Sequence, residues 1–230
     1  MFTFTISIIC YQILNSEYYL EYSLRLCYKT NMNIQTSESE DLRQQILDAA
    51  ENRFRVYGYG KTTMAEIAGD VSMSAANLYR YFKNKQDIAA ECACQCMSQR
   101  VDKLREIIRV PGLTAVEKLH AFVQGVVEHA LEGSEKQPKI NEMIDDIARD
   151  HAQIVHRDTD AQCALIAEIL AFGNQTGEFE VDDLIGTSKT VFTTLTLFEV
   201  PSFVPMYTPE QFVSMAKGVV DLLIKGLAKR

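Results

Sequence analysis

The chain has 230 residues, of which 47% are hydrophobic and 23% charged, with only 11 Gly and 5 Pro. That is enough to bury a core in one or two domains, and it excludes collagenous, low-complexity and linker-dominated chains. The formal charge of −8, averaged over the chain, argues against unspecific attraction to nucleic acid. The Cys residues at 10, 27, 92, 94, 96 and 163 form no CxxC pair, the pattern of reduced thiols in a cytosolic protein. No apolar run reaches the roughly 18 residues a bilayer span needs, so the expected location is cytoplasmic.

Residues 2–16 carry no charge and include Ile6, Ile8, Ile9, Ile13 and Leu14, a superficial likeness to a secretory leader. No Lys or Arg precedes the apolar run, and Glu17, Tyr18, Tyr19 and Glu21 follow it in place of a small-residue cleavage site. The expectation is a translation start at Met32, just before the polar run Asn33 to Asp41, with residues 1–36 an extension outside the functional fold.

From Ser37 to Tyr57 the apolar residues Leu42, Ile46, Ala50, Phe54 and Tyr57 recur at helical spacing, with Ser37 and Glu40 as a capping box and Gly58 as the stop. Thr63 and Glu66 form a second capping box, opening a two-turn helix that buries Met64, Ile67, Ala68 and Val71. Ser72-Met73-Ser74 breaks the pattern. Ser74 can then cap a third helix, Ala75 to Phe82, whose Leu78 and Phe82 lie one turn apart. Two short helices joined by a tight turn and braced by a first helix outline a helix-turn-helix. The outward side of the third helix carries small residues at Ala75 and Ala76, the amide of Asn77, and the cluster Tyr79, Arg80 and Tyr81, followed by Lys83 and Lys85. Small residues let backbone approach a groove, Tyr and Lys can clamp phosphates, and Asn or Arg can read base edges. The same aromatic and basic face can equally be a solvated or half-buried one.

The pair Thr62-Thr63, then Ile67-Ala68, then Leu78-Tyr79-Arg80-Tyr81-Phe82 and the trailing Lys85 follow one another without a gap. In this spacing the segment resembles the N-terminal DNA-binding domain of the TetR family of bacterial transcriptional regulators, over about residues 40 to 90. The resemblance implies that Thr63, Ser74, Ala75, Ala76, Asn77, Tyr79, Arg80, Tyr81 and Lys85 touch DNA. This chain has Ser72 where the family usually has Gly, so either Ser takes a left-handed conformation or the turn differs. It has Ala75 and Ala76 where a Lys and a Gly are common, which shifts base reading to Asn77 and Arg80.

Asn84 with Asp87 can cap a long helix from Lys85 to Val110, ended by Pro111-Gly112. Cys92, Cys94 and Cys96 lie on it, about 200° apart at each step, so they cannot converge on one metal; they read as small core or interface residues, with redox sensing the alternative. Further helices are expected at Thr114 to Leu131, Lys139 to Arg149, His151 to Phe172, Val181 to Phe198 and Pro209 to Leu227, with no strand alternation. The fold class is therefore all-α, with residues 37–86 as the DNA-binding domain and 87–230 as a helical effector-binding and dimerisation domain. The resemblance implies a homodimer through the last two helices and an effector pocket among the middle ones. Candidate lining residues are Phe122, Val126, Ile144, Ile147, Leu165, Ile169, Phe172, Phe192 and Phe198, all of which suit a plain core as well.

His151 and His156 are five apart, which suits helix ligation poorly, and no metal or cofactor is expected. The sequence holds no GxGxxG, P-loop, GxSxG or HExxH, which excludes the commonest enzyme signatures. The charge divides unevenly: residues 41–86 carry 7 Lys or Arg against 5 Asp or Glu, while residues 87–230 carry 14 against 22. The expected protein is a dimeric repressor that binds a palindromic operator with modestly basic tips and is released by a small-molecule effector.

Overall fold

The computed structural model of the protein describes residues 36–229. The expectations for residues 1–35, the start at Met32 among them, lie outside the described residues, as does the side chain of Ser37. Among the described residues every regular element is helical: α1 (Thr36–Tyr57), α2 (Met64–Asp70), α3 (Ala75–Leu78), α4 (Lys85–Ile108), α5 (Ala115–Lys136), α6 (Pro138–Asp150), α7 (Ala152–Thr176), α8 (Leu184–Glu199), a 3-10 turn (Pro201–Met206) and α9 (Pro209–Leu227). The helices fall into two compact units, one of residues 36–92 and 143–156, the other of residues 93–142 and 157–229.

In the first unit, Ile46, Leu47, Ala50 and Phe54 of α1 are buried with Ile67 and Ala68 of α2, Leu78 of α3, and Phe82. Helices of four and seven residues are unstable alone, so this apolar contact is what keeps α2 and α3 formed. The unit takes in more chain than the 37–86 expected of a head. Met143, Ile147 and Ile154 are buried in it, and the Gln86 amide donates to Asp150 Oδ2 at 2.9 Å. Tyr59 feels the same segment: burial raises its hydroxyl pKa, and Asp146 and Asp150 raise it further.

The second unit is built around α5, which packs against α8, α9 and the 3-10 turn. Phe122, Val126, Leu165, Ile169, Phe192, Phe198 and Phe212 share one core, with the Phe198 and Phe212 rings edge to face at 5.2 Å. Thr114 and Glu117 form a full capping box at the start of α5. Glu178 adds a second cap, accepting the N–H groups of Ala115 at 3.0 Å and Val116 at 3.3 Å. Burial would raise the Glu178 pKa, but those N–H groups and the Thr176 hydroxyl hold it below the ordinary carboxylate range.

Several helix ends differ from the sequence expectation for identifiable reasons. Helix α5 runs past Gly133 because one helical glycine costs only about 1 kcal/mol, and the Glu132–Lys136 pair at 3.1 Å spans it. Helix α7 runs past Gly173, which is a contact point and not a stop. A Cβ there would lie 2.1 Å from the ring of Phe179. Helix α8 starts at Leu184 because Asp183 caps it, accepting the N–H of Gly186, while Val181 instead donates to Asn174 Oδ1.

His129 is half-buried; burial first, then Arg100 and Lys103, push its pKa down to about 4. An unfolded histidine protonates near 6.5, so this group's contribution to stability is complete above about pH 6.5 and is lost progressively as pH falls toward 4. Over that window it is expected to remove about 2–3 kcal/mol of stability. Denaturant titrations across the range should show a shallower decline for His129→Asn.

Candidate functional site

The Thr63 hydroxyl accepts the N–H of Glu66, and the Glu66 carboxylate accepts the N–H of Thr63 at 2.8 Å, closing the capping box at the start of α2. These bonds, the Thr63 hydroxyl first, hold the Glu66 pKa below the ordinary carboxylate range. At the other end of α2, Met73 N–H donates to Ala68 O at 2.9 Å and Ser72 N–H to Gly69 O at 3.1 Å. This is a Schellman motif with Ser72, at φ 55°, in the left-handed position that glycine usually fills. The first of the two sequence alternatives is the one found: the turn has its usual form and Ser carries the strain. Ser72→Gly is expected to raise stability by about 0.5 kcal/mol, since relief of about 1 kcal/mol of strain is offset by the greater freedom of glycine in the unfolded chain. Thermal melting of the two proteins at one concentration checks this.

Ser74 caps α3, accepting the Asn77 N–H at 3.2 Å. The helix is shorter than the expected Ala75 to Phe82. After Leu78 the chain tightens, with Arg80 N–H donating to Asn77 O and Tyr81 N–H to Leu78 O. Asn84 must cap α4, which it does by accepting the Asp87 N–H at 2.8 Å, so the winding has to break before it. Leu78 and Phe82 point into the core, with the Arg43 guanidinium 4.2 Å from the Phe82 ring centroid. Thr63, Ser74, Ala76, Tyr79 and Arg80 are exposed, and Ala75, Asn77 and Tyr81 are half-buried. Tyr79 keeps 53% of its surface open.

Lys85 is occupied otherwise than the sequence reading expected. Its ammonium donates to Tyr59 O at 2.6 Å and Thr62 O at 2.8 Å, and lies 4.3 Å from the Tyr59 ring centroid. Burial lowers its pKa. Lys85 ties α4 to the α1–α2 turn, while Lys83 is exposed. Lys85→Met is expected to cost the fold about 1–2 kcal/mol while leaving the salt dependence of DNA affinity unchanged. A phosphate contact would instead account for about 0.9 of the log–log salt slope.

In the second unit a cleft of about 520 Å³ is lined by Ile108, Pro111, Leu113, Lys118, Ile169 and Phe172, among others. The Lys118 ammonium bonds Ile108 O and lies 5.2 Å from the Phe172 ring centroid, and Arg109 makes a two-pronged bond to Glu168 at 2.9 and 3.0 Å. Two of the nine effector candidates, Ile169 and Phe172, line this cleft. Phe122, Val126, Leu165, Phe192 and Phe198 belong to the core around it, whereas Ile144 and Ile147 are in the other unit. Sequence reasoning missed a buried polar group, Arg100, Asp158, Gln162 and Glu199, although each interrupts or ends an apolar stripe.

A capped two-helix motif on a three-helix head, followed by a larger helical unit with a cleft, is the arrangement of a helix-turn-helix regulator. The family pattern described as bacterial regulatory proteins, tetR family, matches residues 46–92, and that described as tetracyclin repressor-like, C-terminal domain, matches residues 115–220. The chain belongs to the TetR family. It is 24% identical to the fatty acid metabolism regulator protein of Bacillus subtilis (strain 168) over 195 residues, covering 80% of this chain and 94% of that protein. Its fold is similar to that of a transcriptional regulator from Cytophaga hutchinsonii, with TM-score 0.64 and 22% identity, covering 81% and 98% of the two chains. It is also similar to Thermus thermophilus FadR, a repressor solved in complex with lauroyl-CoA, with TM-score 0.60 and 20% identity over 82% and 96%.

Proposed function

We propose that the protein is a cytoplasmic homodimeric repressor that binds a palindromic operator and leaves it when an acyl-CoA binds. The observation that carries the reading is the outward face built by the Thr63 and Ser74 caps: both hold backbone N–H groups at helix starts, and Asn77, Tyr79 and Arg80 stand beside them. In this reading residues 37–86 contact DNA. Asn77 and Arg80 read base edges, Thr63, Ser74, Tyr79, Tyr81 and Lys83 hold phosphates, and Ala75 and Ala76 allow close approach.

Residues 87–230 bind the effector and dimerise through α8 and α9. The apolar side chains of Ile185, Val213 and Leu222 support this face, at 63%, 49% and 69% exposure. The acyl-CoA assignment draws on the two fatty-acid-related relatives and on the cleft, whose apolar walls suit an acyl chain and whose Lys118 suits an anionic head. Helices α4, α6 and α7 each have residues in both units, which supplies a route by which the ligand shifts the head.

Fluorescence anisotropy of the full-length protein on DNA from upstream of its own coding sequence tests the effector. Lauroyl-CoA is expected to release the DNA while free CoA does not. DNA still held at saturating lauroyl-CoA and stearoyl-CoA would overturn the acyl-CoA reading.

A further inference from the structure

Helices α4, α7 and α8 bury a polar knot in the second unit. Arg100 Nη1 donates to Glu199 Oε2 at 2.8 Å and Nη2 to Asp158 Oδ2, and Gln162 Nε2 bridges the same two oxygens at 3.1 and 3.0 Å. Gln162 is fully buried; the side chains of Asp158 and Glu199 are each 8% exposed and that of Arg100 is 12% exposed. Each carboxylate therefore spends one oxygen on both donors and has another left over. Asp158 Oδ1, Glu199 Oε1, Gln162 Oε1, Thr196 Oγ1 and Arg100 Nε find no partner in the protein. Among the described residues, the buried side-chain nitrogens and oxygens in that condition all lie on these five side chains.

A buried acceptor without a donor loses its bond to water and gains nothing in exchange, so native folds tolerate few of them. Five on three adjoining helices call for an occupant, and the inventory says which kind. Four of the atoms are oxygens that accept, and only Arg100 Nε and the Thr196 hydroxyl can donate. The charges are one guanidinium against two carboxylates. We propose that this knot is a binding site for an N–H-bearing cation, an alkylammonium or guanidinium group, held by the unused oxygens of Asp158 and Glu199 and oriented by Gln162 and Thr196. Charge-assisted bonds from such a group to the carboxylate oxygens are the strongest available there. The site and its ligand class differ from the acyl-CoA cleft, and the proposal does not depend on what the cleft binds.

A proton is the competing occupant. Burial holds Glu199 above the ordinary carboxylate range against the pull of Arg100, and Asp158 adds to the rise. The other ionisable groups nearby are His129 on α5, neutral above about pH 4, and Cys163 on α7, whose thiol is pushed up to about 11 chiefly by burial. Burial would lower the Arg100 pKa, but Glu199 and Asp158 carry it above its ordinary value, so it stays charged. Cation and proton compete for the same oxygens, so binding should strengthen as pH rises through the range in which Glu199 loses its proton.

Isothermal titration of the full-length protein with butylammonium, at fixed ionic strength near neutral pH, tests this. Butylammonium is expected to bind, and to bind no more weakly as the pH is raised from the acid side. Tetramethylammonium, which has charge without N–H donors, and butanol, which has neither, should stay silent. Tighter binding of butylammonium than of ammonium ion assigns the site to an organic ligand, and equal binding assigns it to the free ion. Glu199→Gln should weaken binding about tenfold or more. Thr196→Val, a change of near-constant volume outside the ion pairs, should weaken it several-fold. Absence of butylammonium binding at millimolar concentration, an equal response to tetramethylammonium, or unchanged affinity in folded Thr196→Val would overturn the proposal.

Discussion

Gly173→Ala should destabilise the protein by about 3 kcal/mol, although alanine is the better helix former and Gly173 lies inside α7. The reason is the Phe179 ring, whose nearest carbons would lie 2.1, 2.6 and 2.8 Å from the new methyl group. The ring has nowhere to go. Phe179 is 2% exposed, its N–H donates to Gly173 O at 3.1 Å, and the chain on either side is tied to the C-terminal end, Glu180 N–H to Leu227 O and Lys229 N–H to Glu178 O. Phe179→Ala alone should cost about 3–5 kcal/mol through the cavity it leaves. The sign test is the double variant: with the ring gone, Gly173→Ala should stabilise by about 0.5–1 kcal/mol, as in any exposed helix. Denaturant midpoints of the four proteins at one concentration give the coupling energy. Additive losses would mean that the ring does not occupy the glycine's place.

Asn77→Ala should relax sequence preference at one position of each half-site, whereas Tyr79→Ala should weaken binding to every sequence alike. A bidentate base contact is worth about 1–3 kcal/mol, and a dimer presents it twice, so the loss on the preferred operator is about 2–6 kcal/mol, roughly thirtyfold or more. The fold should survive both changes. Asn77 serves the head through its backbone N–H, which Ser74 holds, and Tyr79 is exposed. Anisotropy against a set of single-base operator variants separates the two patterns. An Asn77→Ala protein with unaltered preference would move base reading away from the first turn of α3.

Caps and periodicity made most of the fold legible. Thr63 with Glu66, Asn84 and Ser74 all cap the helices they were expected to cap, because a capping side chain acts within three residues of its own position. What was hidden depends on residues far apart in sequence. Gly173 reads as a helix stop unless one knows that Phe179 lies on it. Lys85 reads as a phosphate clamp, and that its ammonium also holds Tyr59 O and Thr62 O is visible only in the fold. The knot did leave a signal. Arg100 stands one turn before Leu104 on the buried stripe of α4, and Asp158 and Gln162 fall between Ile154 and Ile166 at four-residue steps on α7. Polar residues at core positions mark a buried network, but only the fold shows that they meet.

In the proposed function the outward face of α2 and α3 meets DNA, and footprinting the full-length protein on DNA from upstream of its own coding sequence, at stated salt, tests that directly. The prediction is a footprint covering two inverted half-sites whose centres lie about one helical turn, or a multiple of it, apart, at the stoichiometry of a dimer. A folded, dimeric protein that protects no sequence in preference to bulk DNA would contradict it.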